Sequence, residues 1–133
     1  MLLDGEPARA CLLSAGKVEG RSITTIKGLA QDGRLHPVQR AFADPGAMQC
    51  GYCTPGMVLA TTAPLARNAD PDEADVRAAL ACNVCRCCAY PRIIRAPAGS
   101  PSWLGAPTAG IAPTARPPAP GSALRLVRAR RGT

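Results

Sequence analysis

The chain has 133 residues, only 3% of them aromatic, and a formal net charge of +7. That length excludes two well-filled cores, and the composition leaves any core to be built from aliphatic side chains, which each bury less area than a ring. Residues 1–96 hold 11 Lys/Arg against 9 Asp/Glu while residues 97–133 hold 5 Arg and no acid, so the basicity belongs to a tail and no nucleic-acid partner is expected of the folded part. Seven cysteines, an odd number, with no cationic-then-apolar leader in Met1–Ala10, point to reduced thiols and a cytoplasmic location. No apolar run nears the roughly 18 residues of a membrane span.

Taken in chain order, residues 2–30 predict small β elements. Leu2-Leu3 is followed by a turn at Asp4-Gly5, a return toward Cys11, and a β-branched strand over Ser22–Ile26. Three short strands with so few apolar residues make a poor independent sheet, and a prosthetic group is expected to contribute to folding.

From residue 36 the pattern is helical. The first helix begins at Pro37, carries Val38, Ala41 and Phe42 on one face and stops at Pro45-Gly46; His36, just ahead of it, reads as a capping or surface residue rather than a metal ligand. The second runs from Thr54-Pro55 to about Asn68 and buries Met57, Val58 and Leu65, with Pro64 expected to kink it. The third is expected to start on Asp70 as N-cap, with Pro71 in its first position and Glu73 closing a capping box, and to bury Val76, Ala79 and Leu80. Asp70, Asp72, Glu73 and Asp75 suit a helix N-terminus and need no acid-base role. Cys82, just past this helix, is expected in a left-handed conformation better suited to Gly, at a strain of order 1 kcal/mol. A short fourth helix over Pro91–Ala96 buries Ile93 or Ile94. Residues 97–133 are rich in Pro, Ala, Gly and Arg and predict a disordered tail in which Arg125, Arg128, Arg130 and Arg131 are solvated, and Trp103 alone makes no stacking platform.

Chemistry concentrates in the cysteines. Cys50-x-x-Cys53 and Cys85-x-Cys87 form two close pairs at predicted helix ends, where a compact bundle brings them together. Two thiolate pairs suit one metal centre, and the spacing leaves zinc and iron-sulfur both open. Cys82 and Cys88 read as bystanders. The chain carries no P-loop, no dinucleotide glycine fingerprint and no nucleophile-base pair.

The run Met48-Gln49-Cys50-Gly51-Tyr52-Cys53-Thr54-Pro55-Gly56-Met57, with Asn83-Val84-Cys85-Arg86-Cys87 followed by Tyr90 and Ile93, resembles the helical iron-sulfur domain of the molybdenum hydroxylases. That family includes the small subunits of carbon monoxide dehydrogenase, xanthine dehydrogenase, aldehyde oxidoreductase and isoquinoline oxidoreductase. The likeness spans residues 1–96, including Gly33–Gln39 and Leu65–Asn68.

The resemblance implies a mainly α fold: a compact four-helix 2Fe-2S-binding domain over residues 31–96, preceded in residues 1–30 by a partial β-rich remnant of a plant-type ferredoxin domain, with residues 97–133 as the disordered tail. It implies that Cys50, Cys53, Cys85 and Cys87 bind one 2Fe-2S cluster and that Gln49 approaches a pterin. Cys11, opening Cys11-Leu12-Leu13-x-x-Gly16 ahead of Ile23–Ala30, is then the orphan ligand of a second, incomplete 2Fe-2S cluster in an N-terminally truncated chain. Departures from the family pattern fall at Cys82, Cys88 and Ala89, where glycine, threonine and glycine are usual.

The implied function is an electron-transfer iron-sulfur subunit, or a fragment of one, in a molybdopterin-dependent hydroxylase or dehydrogenase. Substrate chemistry and molybdopterin lie in a separate large subunit, and a flavin-binding subunit is the further partner. The alternatives are a zinc-stapled structural or interaction module with a basic tail, and a degenerate fragment without function.

Overall fold

The computed structural model describes residues 1–68 and 70–98; the predicted tail lies outside the described residues, apart from Pro97 and Ala98, which extend the last helix. Three two-residue strands, β1 (Leu2–Leu3), β2 (Glu6–Pro7) and β3 (Ile23–Thr24), form an antiparallel sheet in the order β2-β1-β3. Leu3 pairs with Glu6 and with Ile23. Asp4 and Gly5, at φ 51° and 85°, close the β1–β2 hairpin with the two positive φ values that suit the right-handed twist of its strands. The Asp4 carboxylate accepts from Arg21 Nε at 2.7 Å and from the Ser22 N–H at 2.8 Å, which fastens the long excursion between β2 and β3. Those two bonds hold the Asp4 carboxyl below its ordinary pKa, the Arg21 bond first.

Four helices follow: α1 (Pro37–Ala43), α2 (Thr54–Arg67), α3 (Glu73–Leu80) and α4 (Tyr90–Ala98). Helix α1 starts where Pro37 predicts. His36 Nδ1 accepts from the Val38 N–H at 3.3 Å and Gln39 Oε1 accepts from the His36 N–H at 2.8 Å, a reciprocal cap that answers two of the helix's free donors.

Helix α2 is the central strut. Met57, Val58, Leu59, Thr61, Thr62, Ala63 and Leu65 are all buried along it, so it has neighbours on most sides. The buried Thr61 hydroxyl bonds the carbonyls of Met57 and Val58, and that of Thr62 the carbonyl of Val58, so neither alcohol is stranded without a partner. The helix continues through Pro64 to Arg67, and the Asn68 N–H still donates to the Pro64 carbonyl at 3.1 Å. Packing on both flanks holds the run together despite the missing donor.

Helix α3 starts later than its sequence predicts. Asp72, not Asp70, is the N-cap: its carboxylate accepts from the Asp75 N–H at 2.8 Å, and Asp75 Oδ2 accepts in return from the Asp72 N–H at 3.3 Å. Asn68 explains the shift. Its side chain accepts from the Asp70 N–H at 3.0 Å and donates to Asp75 Oδ2 at 2.8 Å, so Asp70 belongs to the connection and Pro71 is buried ahead of the helix. Helix α4 starts one residue earlier than predicted, at Tyr90, and buries both Ile93 and Ile94.

One apolar cluster joins these parts. Leu2 and Leu29 from the N-terminal segment share it with Val38, Phe42, Met57, Val58, Leu65, Val76, Leu80, Ile93 and Ile94. Among the described residues no helix is long and apolar enough to cross a membrane.

Candidate metal centre

The first cysteine pair stands on the entry to α2. Cys53 is the residue immediately before the helix and Met57 N–H donates to its carbonyl at 3.1 Å. Gly51 takes φ 80°, a backbone state that costs a Cβ-bearing residue about 1 kcal/mol or more. The turn it makes directs the Tyr52 N–H at the Cys50 sulfur.

The second pair lies in the loop from Ala81 to Ala89 between α3 and α4. Cys85 is buried and Cys87 half-buried. The N–H groups of Ala89, Cys87 and Cys88 all face the Cys85 sulfur, so successive amides wrap one anion-accepting concavity. Cys88 takes φ 58° there. The strain expected at Cys82 is therefore found at Cys88: Cys82 is absent from the positive-φ residues, because Asn83 N–H bonds back to the Leu80 carbonyl at 2.8 Å and carries the chain off α3 without a left-handed residue. The loop's left-handed step comes where it must curl around Cys85.

The thiols meet two by two, each pair drawing one cysteine from each motif. Cys87 Sγ lies 3.4 Å from Cys50 Sγ, and the Cys53 thiol donates to the Cys85 sulfur. Charge is divided within each pair. The Tyr52 N–H, then the Cys87 thiol, pull the Cys50 pKa down; the Ala89 N–H leads the groups that pull Cys85 down. Burial, then its bond to Cys85, pushes Cys53 up to about 11. At Cys87 the Cys50 N–H acts to lower the pKa, but thiol donation to Cys50, burial and the neighbouring sulfur charges together raise it. Each pair thus keeps one sulfur ready to ionise and one protonated.

This donor set fits a binuclear iron-sulfur group. Four thiols in two pairs provide two sulfurs for each of two irons, and backbone amides face sulfurs in both motifs.

The model of the 2Fe-2S binding domain matches residues 25–98, more than half of the chain. The chain belongs to the 2Fe-2S binding domain family. Membership decides the choice between zinc and iron-sulfur that cysteine spacing left open. The 2Fe-2S binding domain here is similar to the nicotinate dehydrogenase small FeS subunit of Eubacterium barkeri, 40% identical over 93 residues that cover 70% of this chain and 59% of that protein. It is 44% identical to the xanthine dehydrogenase iron-sulfur-binding subunit of Escherichia coli O157:H7, covering 71% of this chain and 60% of that one. Among solved structures, quinoline 2-oxidoreductase from Pseudomonas putida 86 superposes with a TM-score of 0.72 at 41% identity, over 77% of this chain and 63% of its own. The chain thus spans about three-fifths of the length of these small-subunit relatives.

The remaining sequence candidates are distributed as follows. Gln49 is exposed beside Cys50. Cys11 sits on the exposed turn Ala10–Leu12, with no group of three ligand side chains around it among the described residues. Cys82 and Cys88 are exposed, and Cys88 Sγ makes only a 3.9 Å contact to the Arg86 carbonyl. His36 caps α1, and burial pulls its pKa down, as a ring nitrogen that accepts a bond requires. Two contributors were not given a role by sequence: Tyr90, whose hydroxyl reaches back to Cys85, and Gly56, packed on Asn83. Their only sequence signals are a tyrosine opening an amphipathic helix after the second pair and a glycine in the first turn after the first pair.

Proposed function

We propose that this chain is an electron-transfer iron-sulfur subunit, or a piece of one, of a molybdopterin-dependent hydroxylase or dehydrogenase. Cys50, Cys53, Cys85 and Cys87 are the ligands of its 2Fe-2S cluster. The carrying observation is the cross-motif pairing of these four thiols under backbone N–H groups. A bound cluster supplies one-electron redox chemistry. The chain's own residues gather four sulfurs at helix ends, stabilise their negative charge with amides, and bury Cys85 while leaving Cys50 exposed.

The exposed Cys50 end supports a partner-facing role. Met48, Tyr52 and Val84, all exposed apolar residues, flank the two motifs and offer contact area to a large molybdopterin-binding subunit. Gln49 is the residue assigned to the pterin. A flavin-binding subunit completes the relay as onward acceptor, in the cytoplasm. In this reading residues 31–96 are the helical cluster domain, residues 1–30 belong to a ferredoxin-type domain in which Cys11 is a ligand, and residues 97–133 are a tail.

Anaerobic reconstitution of the chain with ferrous iron and sulfide tests the proposal. Two irons and two sulfides per chain, visible absorption and a paramagnetic signal on one-electron reduction are expected, and Cys85→Ser should abolish or alter that signal. A colourless, iron-free product overturns the reading; one zinc per chain without a redox signal favours the zinc-stapled module.

A further inference from the structure

We propose that Tyr90 is a positioning residue of the iron-sulfur site: its hydroxyl pins the loop that presents Cys85 and Cys87. The inference rests on the ligand assignment above. The hydroxyl accepts from the Cys85 N–H at 2.8 Å and donates to the Asn83 carbonyl at 3.0 Å, so one atom ties together the two residues that open the cysteine turn. Tyr90 begins α4, and α4 is anchored by Ile93 and Ile94, 2% and 4% exposed. The residue that carries the hydroxyl is therefore anchored to the core through α4, while the hydroxyl itself holds the loop.

The loop has little strength of its own. Its internal Cys88 N–H to Cys85 carbonyl bond is long, at 3.3 Å, and Cys88 carries a positive φ, a state that costs a non-glycine residue of order 1 kcal/mol or more. From the other side α2 closes on the same loop: a Cβ on Gly56 would stand 3.2 Å from Asn83 Nδ2. Tyr90 and Gly56 together hold residues 83–85 between α4 and α2. With the Cys85 amide engaged by the phenol, the amides of Cys87, Cys88 and Ala89, beyond Arg86, are the ones that face the Cys85 sulfur. Hydrogen bonds to a ligand sulfur stabilise the more negative, reduced state. Releasing the loop weakens them, so the cluster is lost faster and is harder to reduce.

The test uses the full chain with its reconstituted cluster. Tyr90→Phe keeps the ring and removes the hydroxyl; Thr61→Val removes another buried hydroxyl, one that bonds only within α2. Cluster release to an iron chelator and the midpoint potential by paramagnetic titration are the readouts. Tyr90→Phe should release its cluster at least tenfold faster and reduce with a threefold to tenfold smaller equilibrium constant, the latter about 59 mV lower for a one-electron couple. Thr61→Val should leave both unchanged. Equal release and potential in Tyr90→Phe and the parent chain overturn the proposal, as do equal shifts from Thr61→Val. If Tyr90→Phe does not fold, Gly56→Ala decides: changed release and potential support the clamp, and unchanged values overturn it. A parent chain that binds no cluster sinks the ligand assignment instead, so the two failures are distinguishable.

Discussion

The division of protons within the thiol pairs makes the proposed ligand set readable by chemical labelling. In the reduced, metal-free chain Cys53 titrates near 11, against 9.0 for a free thiol of the same kind. At pH 8 its thiolate fraction is about 0.001, roughly a hundredfold below that of the free thiol, and only thiolate attacks a disulfide. Greater intrinsic nucleophilicity at the higher pKa returns about six- to tenfold, for a Brønsted slope of ~0.4–0.5. Cys53 should thus exchange with an aromatic disulfide about ten times more slowly than a free cysteine derivative, before its partial burial slows it further. Cys50, exposed and with its pKa lowered, should react ahead of it. Acid quenching and peptide mass mapping over time give the order. After cluster assembly Cys50, Cys53, Cys85 and Cys87 should all be protected while the exposed Cys11, Cys82 and Cys88 still label. Cys53 reacting as fast as Cys50, or Cys82 or Cys88 becoming protected in place of one of the four, would refute the reasoning.

Three further outcomes are expected. Phe42→Ala removes a side chain 1% exposed at the centre of the core and should cost about 3–5 kcal/mol in urea unfolding; a loss below about 1 kcal/mol would contradict a single shared core. Cys88→Gly relieves the left-handed residue at φ 58° and should stabilise the chain by about 1 kcal/mol, whereas Cys82→Gly should give no such gain, both read from urea midpoints. The His36 cap works through a neutral ring whose folded pKa lies below the ordinary 6.5. Its contribution is complete above pH 6.5 and is lost as pH falls from there through the lower folded value; His36→Asn, which keeps an N-cap acceptor, should flatten the stability profile between about pH 5 and 7.

The helices were legible where proline or apolar spacing fixes a start. Pro37 and Pro55 mark α1 and α2, and Thr54–Arg67 lies within a residue of its predicted span. Helix α3 shows the limit: four acids crowd its entry, and which one caps depends on Asn68 reaching both Asp70 and Asp75, a contact outside any capping pattern. The four ligand candidates stand out from spacing and flanking residues, but spacing does not say that Cys50 faces Cys87. That follows from how α2 docks against the loop before α4. A helix exit that suits glycine predicts the left-handed residue at Cys82; the turn instead curls one step beyond Cys87, at Cys88, where several amides face one sulfur.

Cross-motif pairing also has a topological meaning. The Cys50–Cys87 contact closes a loop across 37 positions, and the Cys53–Cys85 contact closes a second loop nested wholly inside it. Closing one such loop from a flexible chain costs ~3 kcal/mol in the logarithmic length dependence alone. Once either ring is shut, the other needs only the few residues between neighbouring cysteines to settle. The concentric arrangement therefore charges the chain once for two closures, and the segment between the paired cysteines, which contains α2 and α3, is closed by both contacts at once.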